Sequence, residues 1–130
     1  LHGHSFTANP IACAVACANL DLFEKKETWK GIDNIIQWNQ DFSNQLTELS
    51  CVENIRQQGT IIAFEVKTNG ESSYFSDVKT EAYAYFLKNG ILLRPLGNTI
   101  FINAPYCIEE KEYKLITSAI LNFLRHSKSS

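Results

Sequence analysis

Hydrophobic and polar positions change period several times along this chain, and each change marks an element. Ile11-Ala12-Cys13-Ala14-Val15-Ala16-Cys17-Ala18, followed by Leu20, Leu22 and Phe23, is apolar on almost every side. That pattern predicts a helix from Asn9 to about Lys26, packed among other elements rather than lying on a surface. Asn9 suits the N-cap and Pro10 the first helical position. After a polar break at 24–27, Ile32, Ile35, Trp38 with Asn39, Phe42, Leu46 and Leu49 recur at three-to-four spacing. They predict a long, half-exposed helix from about Thr28 to Leu49.

Beyond Ser50 the period shortens. Val52 and Ile55 lead to Gly59, and Thr60–Lys67 reads as a strand, so Gly59 is expected to be a bulge or a sharp bend joining two short strands. A polar turn over 68–73 precedes an amphipathic helix from Asp77 to Asn89, stopped by Gly90. Ile91–Arg94 and Thr99–Asn103 read as short strands about the turn Pro95-Leu96-Gly97-Asn98. A last helix, Glu109–Arg125, turns Tyr113, Ile116, Ile120, Phe123 and Leu124 inward, and the tail 127–130 is expected to fray. The order predicts an α+β fold: a small, mostly antiparallel sheet with helices on one face, preceded by two helices.

Composition narrows the function classes more than it identifies one. The length of 130 residues suits one domain's core, and a net charge of -2 gives no reason to expect nucleic acid or acidic lipid as partner. No apolar run approaches the roughly 20 residues of a membrane span. The chain contains no methionine, so it is expected to be the C-terminal piece of something longer. Its four cysteines lack a second pair at ligand spacing. Cys13 and Cys17, at i and i+4 among Ala, Val and Ile, are expected to be small buried thiols, reduced in a cytoplasmic setting. No metal site is expected.

Two places carry candidate chemistry. The first is the polar stretch His2-Gly3-His4-Ser5-Phe6-Thr7 before the helix start, where hydroxyls beside a helix N-terminus can hold an anion such as phosphate. The plainer reading is a loop leading into a capped helix. The second is Arg94, which leaves an apolar strand at a turn and can bind a carboxylate bidentately. Its plainer reading is a solvated or salt-bridged strand-end arginine. No P-loop, dinucleotide fingerprint, nucleophile elbow or zinc-protease motif occurs.

Two segments together resemble the class III pyridoxal-phosphate aminotransferases. His2-Gly3-His4-Ser5-Phe6-Thr7-Ala8-Asn9-Pro10 is similar to the family's His-Gly-x-Thr/Ser-x-x-Gly-Asn-Pro segment. Gly90-Ile91-Leu92-Leu93-Arg94-Pro95-Leu96-Gly97-Asn98, with Ala104-Pro105-Tyr106-Cys107-Ile108, is similar to the C-terminal domain of its biotin-pathway branch. The resemblance implies a fold-type I homodimer with active sites at the subunit interface. It implies that 1–27 end the large cofactor domain and that 28–130 form a connector helix and the C-terminal small α+β domain.

By the same resemblance, Ser5, with Gly3 and His4 in its loop, contacts the phosphate of pyridoxal 5'-phosphate held by the neighbouring subunit. Arg94 binds the substrate carboxylate, and Phe101 lies at a substrate-binding position where some members carry tyrosine. The implied reaction takes an amino group from S-adenosylmethionine to 8-amino-7-oxononanoate. Ornithine or 4-aminobutyrate transamination, or a non-enzymatic α+β interaction domain, are the alternatives. His4, Ser5, Ala8 and Ala104 depart from the commoner proline, threonine, glycine and proline. No lysine here sits in a motif matching the Schiff-base lysine, so no residue of this chain is expected to be catalytic and the chain alone is expected to be inactive.

Overall fold

The shortening of the period after Ser50 is where helices give way to sheet. The computed structural model describes Gly3 and residues 7–67 and 72–126, with side chains except at 72–79 and 126. Helix α1 (Pro10–Phe23) is followed by α2 (Lys26–Thr47), the strands β1 (Val52–Gln58) and β2 (Ile61–Val66), and helix α3 (Ser72–Lys88). Strand β3 (Thr99–Asn103) and helix α4 (Glu110–His126) complete the described elements. The sheet runs in the order β1-β2-β3 with both pairs antiparallel. It is an α+β fold, as the sequence predicts.

Gly59 is the sharp bend and not the bulge. With φ +55 it opens the two-residue loop Gly59-Thr60, and Gln58 faces Ile61 across the hairpin. The bulge lies instead at Asn54, whose φ is 51, where the register slips between Glu53 and Arg56. There Asn54 Nδ2 donates to Glu65 Oε2 at 2.8 Å and Arg56 to Glu65 Oε1 at 3.0 Å. The Asn54 bond is the largest influence holding the Glu65 carboxyl below its ordinary value; desolvation opposes it, and the bond and charge of Arg56 add to the lowering.

Strand alternation assigns the two faces. Ile62, Phe64 and Val66 of β2 and Ile100 and Ile102 of β3 are buried, whereas Ile61 and Asn103 are exposed. Against the buried face lie Phe42 and Leu46 of α2, Ala82 and Phe86 of α3, and Ile120, Phe123 and Leu124 of α4, all in one cluster. Phe42 meets Phe64 edge-on with ring centroids 6.3 Å apart.

Three expectations need correction. Ile91–Arg94 is extended but forms no strand; one bridge, Leu96 to Thr99, links it toward β3. Pro95 contributes no N–H to extend the pairing. Helix α3 begins at Ser72, five residues earlier than the apolar spacing suggests. Cys13 and Cys17 are exposed, because no residue of α1 is buried in this chain. Ile11 is 75% exposed. The tail 127–130 lies outside the described residues.

The polar break between the first two helices is a joint with defined bonds. The carbonyls that end α1 are taken by side chains of α2: Thr28 Oγ1 donates to Leu22 O and Trp29 Nε1 to Phe23 O, both at 2.7 Å.

Asn39, on the stripe of α2, is fully buried and accepts from the Tyr113 hydroxyl of α4 at 2.5 Å. Its Nδ2 has no partner among the described residues, so this bond is the side chain's one compensation for burial. Tyr113→Phe is expected to cost about 1–3 kcal/mol by leaving the whole carboxamide unpaired. Burial, and then the charge of Asp41, push the Tyr113 phenol above its ordinary value. The native state therefore keeps this proton at a pH where the unfolded chain releases it. Its contribution is fully present below the unfolded pKa, near 10, and is lost as pH rises above it. Denaturant titrations from pH 8 to pH 11 should show an alkaline loss of stability that Tyr113→Phe flattens; an equal slope in both proteins would refute the assignment.

Candidate functional site

The site is built by the segment that fails to pair. From Ile91 to Pro95 the chain alternates inward and outward: Ile91, Leu93 and Pro95 are buried, while Leu92, at 80% exposure, and Arg94 face outward. The turn then closes through Leu96 and Thr99, which exchange backbone bonds of 2.9 and 3.0 Å. A groove of about 970 Å³ is lined by Ile91–Arg94, by Phe101–Pro105 on the β3 side, and by residues of α4. The two arms that the sequence reads as a complete hairpin thus flank a cavity.

Arg94 lines this groove together with Phe101, so the fold brings both proposed substrate residues to one place. Arg94 is exposed and makes no hydrogen bond or ion pair among the described residues. Of its plainer readings, the salt-bridged one is not seen among the described residues, whereas the solvated one fits its exposure. The other charged groups of the groove are engaged: Lys111 pairs with Glu109 at 2.7 Å, and Glu112 accepts the Glu109 N–H at 2.9 Å. Leu93, Ile102, Ala104, Ile108 and Ile116 make much of the remaining wall apolar. An apolar trough carrying an unpaired guanidinium is chemically matched to an anionic head on an aliphatic chain. Arg94 is legible in the sequence, whereas the α4 wall is marked there only by Leu115 and Ile116 beside Ile108.

The N-terminal stretch is less complete. Gly3 is exposed, whereas His2, His4 and Ser5 lie outside the described residues. The helix start beside them is already satisfied. Asn9 Oδ1 accepts from Ile11 N at 3.0 Å and Ala12 N at 3.2 Å, Asn9 O accepts from Cys13 N at 2.9 Å, and Pro10 has no N–H. The free helix donors on which an anion site would draw are absent there, so the capped-helix reading holds for Asn9–Cys13. Among the described residues no three His, Cys, Asp or Glu side chains group to hold a metal ion, and no helix is long and apolar enough to cross a membrane.

Comparison with known proteins places this arrangement. Residues 1–124 match the aminotransferase class-III family. The adenosylmethionine-8-amino-7-oxononanoate aminotransferase of Helicobacter pylori is 36% identical, over 95% of this chain and 28% of its own length. That of Geobacter sulfurreducens is 36% identical over 92% of this chain and 27% of its own length. The crystal structure of the Methanocaldococcus jannaschii enzyme of that name superimposes with a TM-score of 0.83 at 27% identity, over 96% of this chain and 30% of that one. The chain thus spans under a third of the relatives it matches. With the family match running from the polar loop through the groove and most of α4, this chain belongs to the class III aminotransferases.

Proposed function

We propose that this chain is the C-terminal part of an enzyme that moves an amino group from S-adenosylmethionine to 8-amino-7-oxononanoate, forming 7,8-diaminononanoate for biotin. The observation that carries this reading is Arg94, without an ion pair among the described residues, in an apolar groove that suits a carboxylate on an aliphatic chain. The names of the relatives from Helicobacter pylori and Geobacter sulfurreducens support the same substrate pair. In this reading residues 1–27 end the large cofactor domain, and 28–130 form the connector helix and small domain of a cytoplasmic homodimer.

When bound, pyridoxal 5'-phosphate supplies the electron sink for amino transfer. The described residues do not build a cradle for its phosphate, because the donors at the start of α1 are already used. The contribution of this chain to that phosphate rests on Ser5, with Gly3 and His4 beside it. Arg94 holds the acceptor's carboxylate and sets its register along the groove. Phe101 forms the wall and offers no hydroxyl to the substrate.

The test is amino transfer by the full-length protein loaded with cofactor. Product formation is expected with S-adenosylmethionine and 8-amino-7-oxononanoate. Efficient turnover of ornithine or 4-aminobutyrate instead would move the protein to another branch of the family. This chain by itself, supplied with the cofactor, is expected to give no turnover, since the lysine that holds it covalently is implied to lie outside; turnover by the chain alone would contradict that.

A further inference from the structure

The turn that carries Arg94 is weakly held by its own hairpin. Beyond the single Leu96–Thr99 bridge the two arms do not pair, and Gly97, with φ +62, permits a conformation that other residues take only with strain. What ties the turn down comes from a different strand. Val66, the last residue of β2, donates its N–H to Asn98 O at 2.9 Å, and Asn98 Nδ2 donates to Val66 O at 3.2 Å. The second bond is partly buried, which shields it from competing water. Val66 is itself buried in the core, so the anchor is rigid. On either side of Arg94, the buried Leu93 and Pro95 fix the backbone from which the guanidinium extends.

We propose that Asn98 is a positioning residue for Arg94: its two-way bonding to Val66 sets where the guanidinium stands in the groove. The inference rests on the reading of Arg94 as the carboxylate-binding residue. Removing the side chain deletes only the Nδ2 bond and leaves the backbone bond of Val66 in place, so the turn loosens without losing its register. The cost falls on the carboxylate contact, whose geometry depends on a guanidinium held in one place.

The experiment is a double-mutant cycle in the full-length, cofactor-loaded enzyme. Asn98→Ala is expected to raise KM for the oxononanoate acceptor about tenfold, with kcat and the amino-donor half-reaction within about twofold. In an Arg94→Ala background the same substitution is expected to add less than about twofold. Asn98→Asp keeps the volume and loses the donor, and is expected to behave as alanine does. A KM rise of equal size in both backgrounds, or a parallel loss in the donor half-reaction, would overturn the proposal in favour of a general structural role. If Arg94→Ala alone leaves the acceptor KM unchanged, the carboxylate reading itself fails. The Asn98–Arg94 link is then decided by peptide-mapped phenylglyoxal modification of Arg94. A faster rate in Asn98→Ala supports the link and an unchanged rate overturns it.

Discussion

Arg94→Ala in the full-length enzyme is expected to lower kcat/KM for the carboxylate-bearing acceptor about a hundredfold, with the amino-donor half-reaction within about twofold. A guanidinium that grips a carboxylate through two charge-assisted bonds, beside an apolar wall that weakens water's competition, supplies on the order of 3 kcal/mol. A hundredfold corresponds to about 2.7 kcal/mol. The absence of any described ion pair to Arg94 matters here. Its truncation breaks no ion pair among the described residues, so the loss is expected to report the substrate contact and not a rearranged loop. Arg94→Lys keeps the charge and loses the fork, and should fall between the two at about tenfold. An acceptor analogue without the terminal carboxylate should react equally with wild type and Arg94→Ala. Equal losses in both half-reactions would remove Arg94 from the acceptor site.

Much of this fold is legible in the residues because its burial is periodic. The three-to-four stripe of α2 contains Ile35, Asn39, Phe42 and Leu46, all buried, and the inward set of α4 contains Tyr113, Ile120, Phe123 and Leu124, also buried. Position-specific backbone features are harder to read. Gly59 announces a break, but whether it turns or bulges depends on the partner strand, and the bulge falls on Asn54, where the sequence carries no glycine.

The extended segment Ile91–Arg94 shows why alternation does not guarantee a strand. Its side chains find the core in a period of two, yet its backbone finds no ladder, since pairing depends on where β3 runs. The exposure of α1 has another origin. Its apolar residues encode burial, but among the described residues none of them is buried, and Phe23 at its end is half-covered by Trp29 and Tyr106. Arg94 is legible as an arginine beside a turn; the groove it lines is a three-dimensional fact to which α4 contributes a wall. Asn98 was readable only as a turn residue, because its partner Val66 lies 32 positions away.

Phe64→Ala is expected to be the most destabilising single truncation, at about 3–5 kcal/mol by denaturant titration. Phe64 has no exposed surface, and it sits on β2, the central strand, where neither side can relax outward to fill the space. Its ring meets Phe42 at 78°, so the truncation removes an edge-to-face contact with α2 as well as buried area. Phe42→Ala should cost nearly as much, and the double variant less than the sum, by a coupling of about 0.5–1.5 kcal/mol. Strict additivity would mean that each ring packs independently and that α2 is held to the sheet by other contacts. Phe64→Leu, which keeps much of the volume, should recover most of the loss if the void dominates, and little if the aromatic contact does. The consequence reaches the site through the strand itself: Val66, two residues further along the same face, is the anchor for Asn98. A core that lets β2 shift should therefore raise the acceptor KM at denaturant concentrations too low to unfold the protein, and Phe64→Ala should show that rise where Phe64→Leu does not.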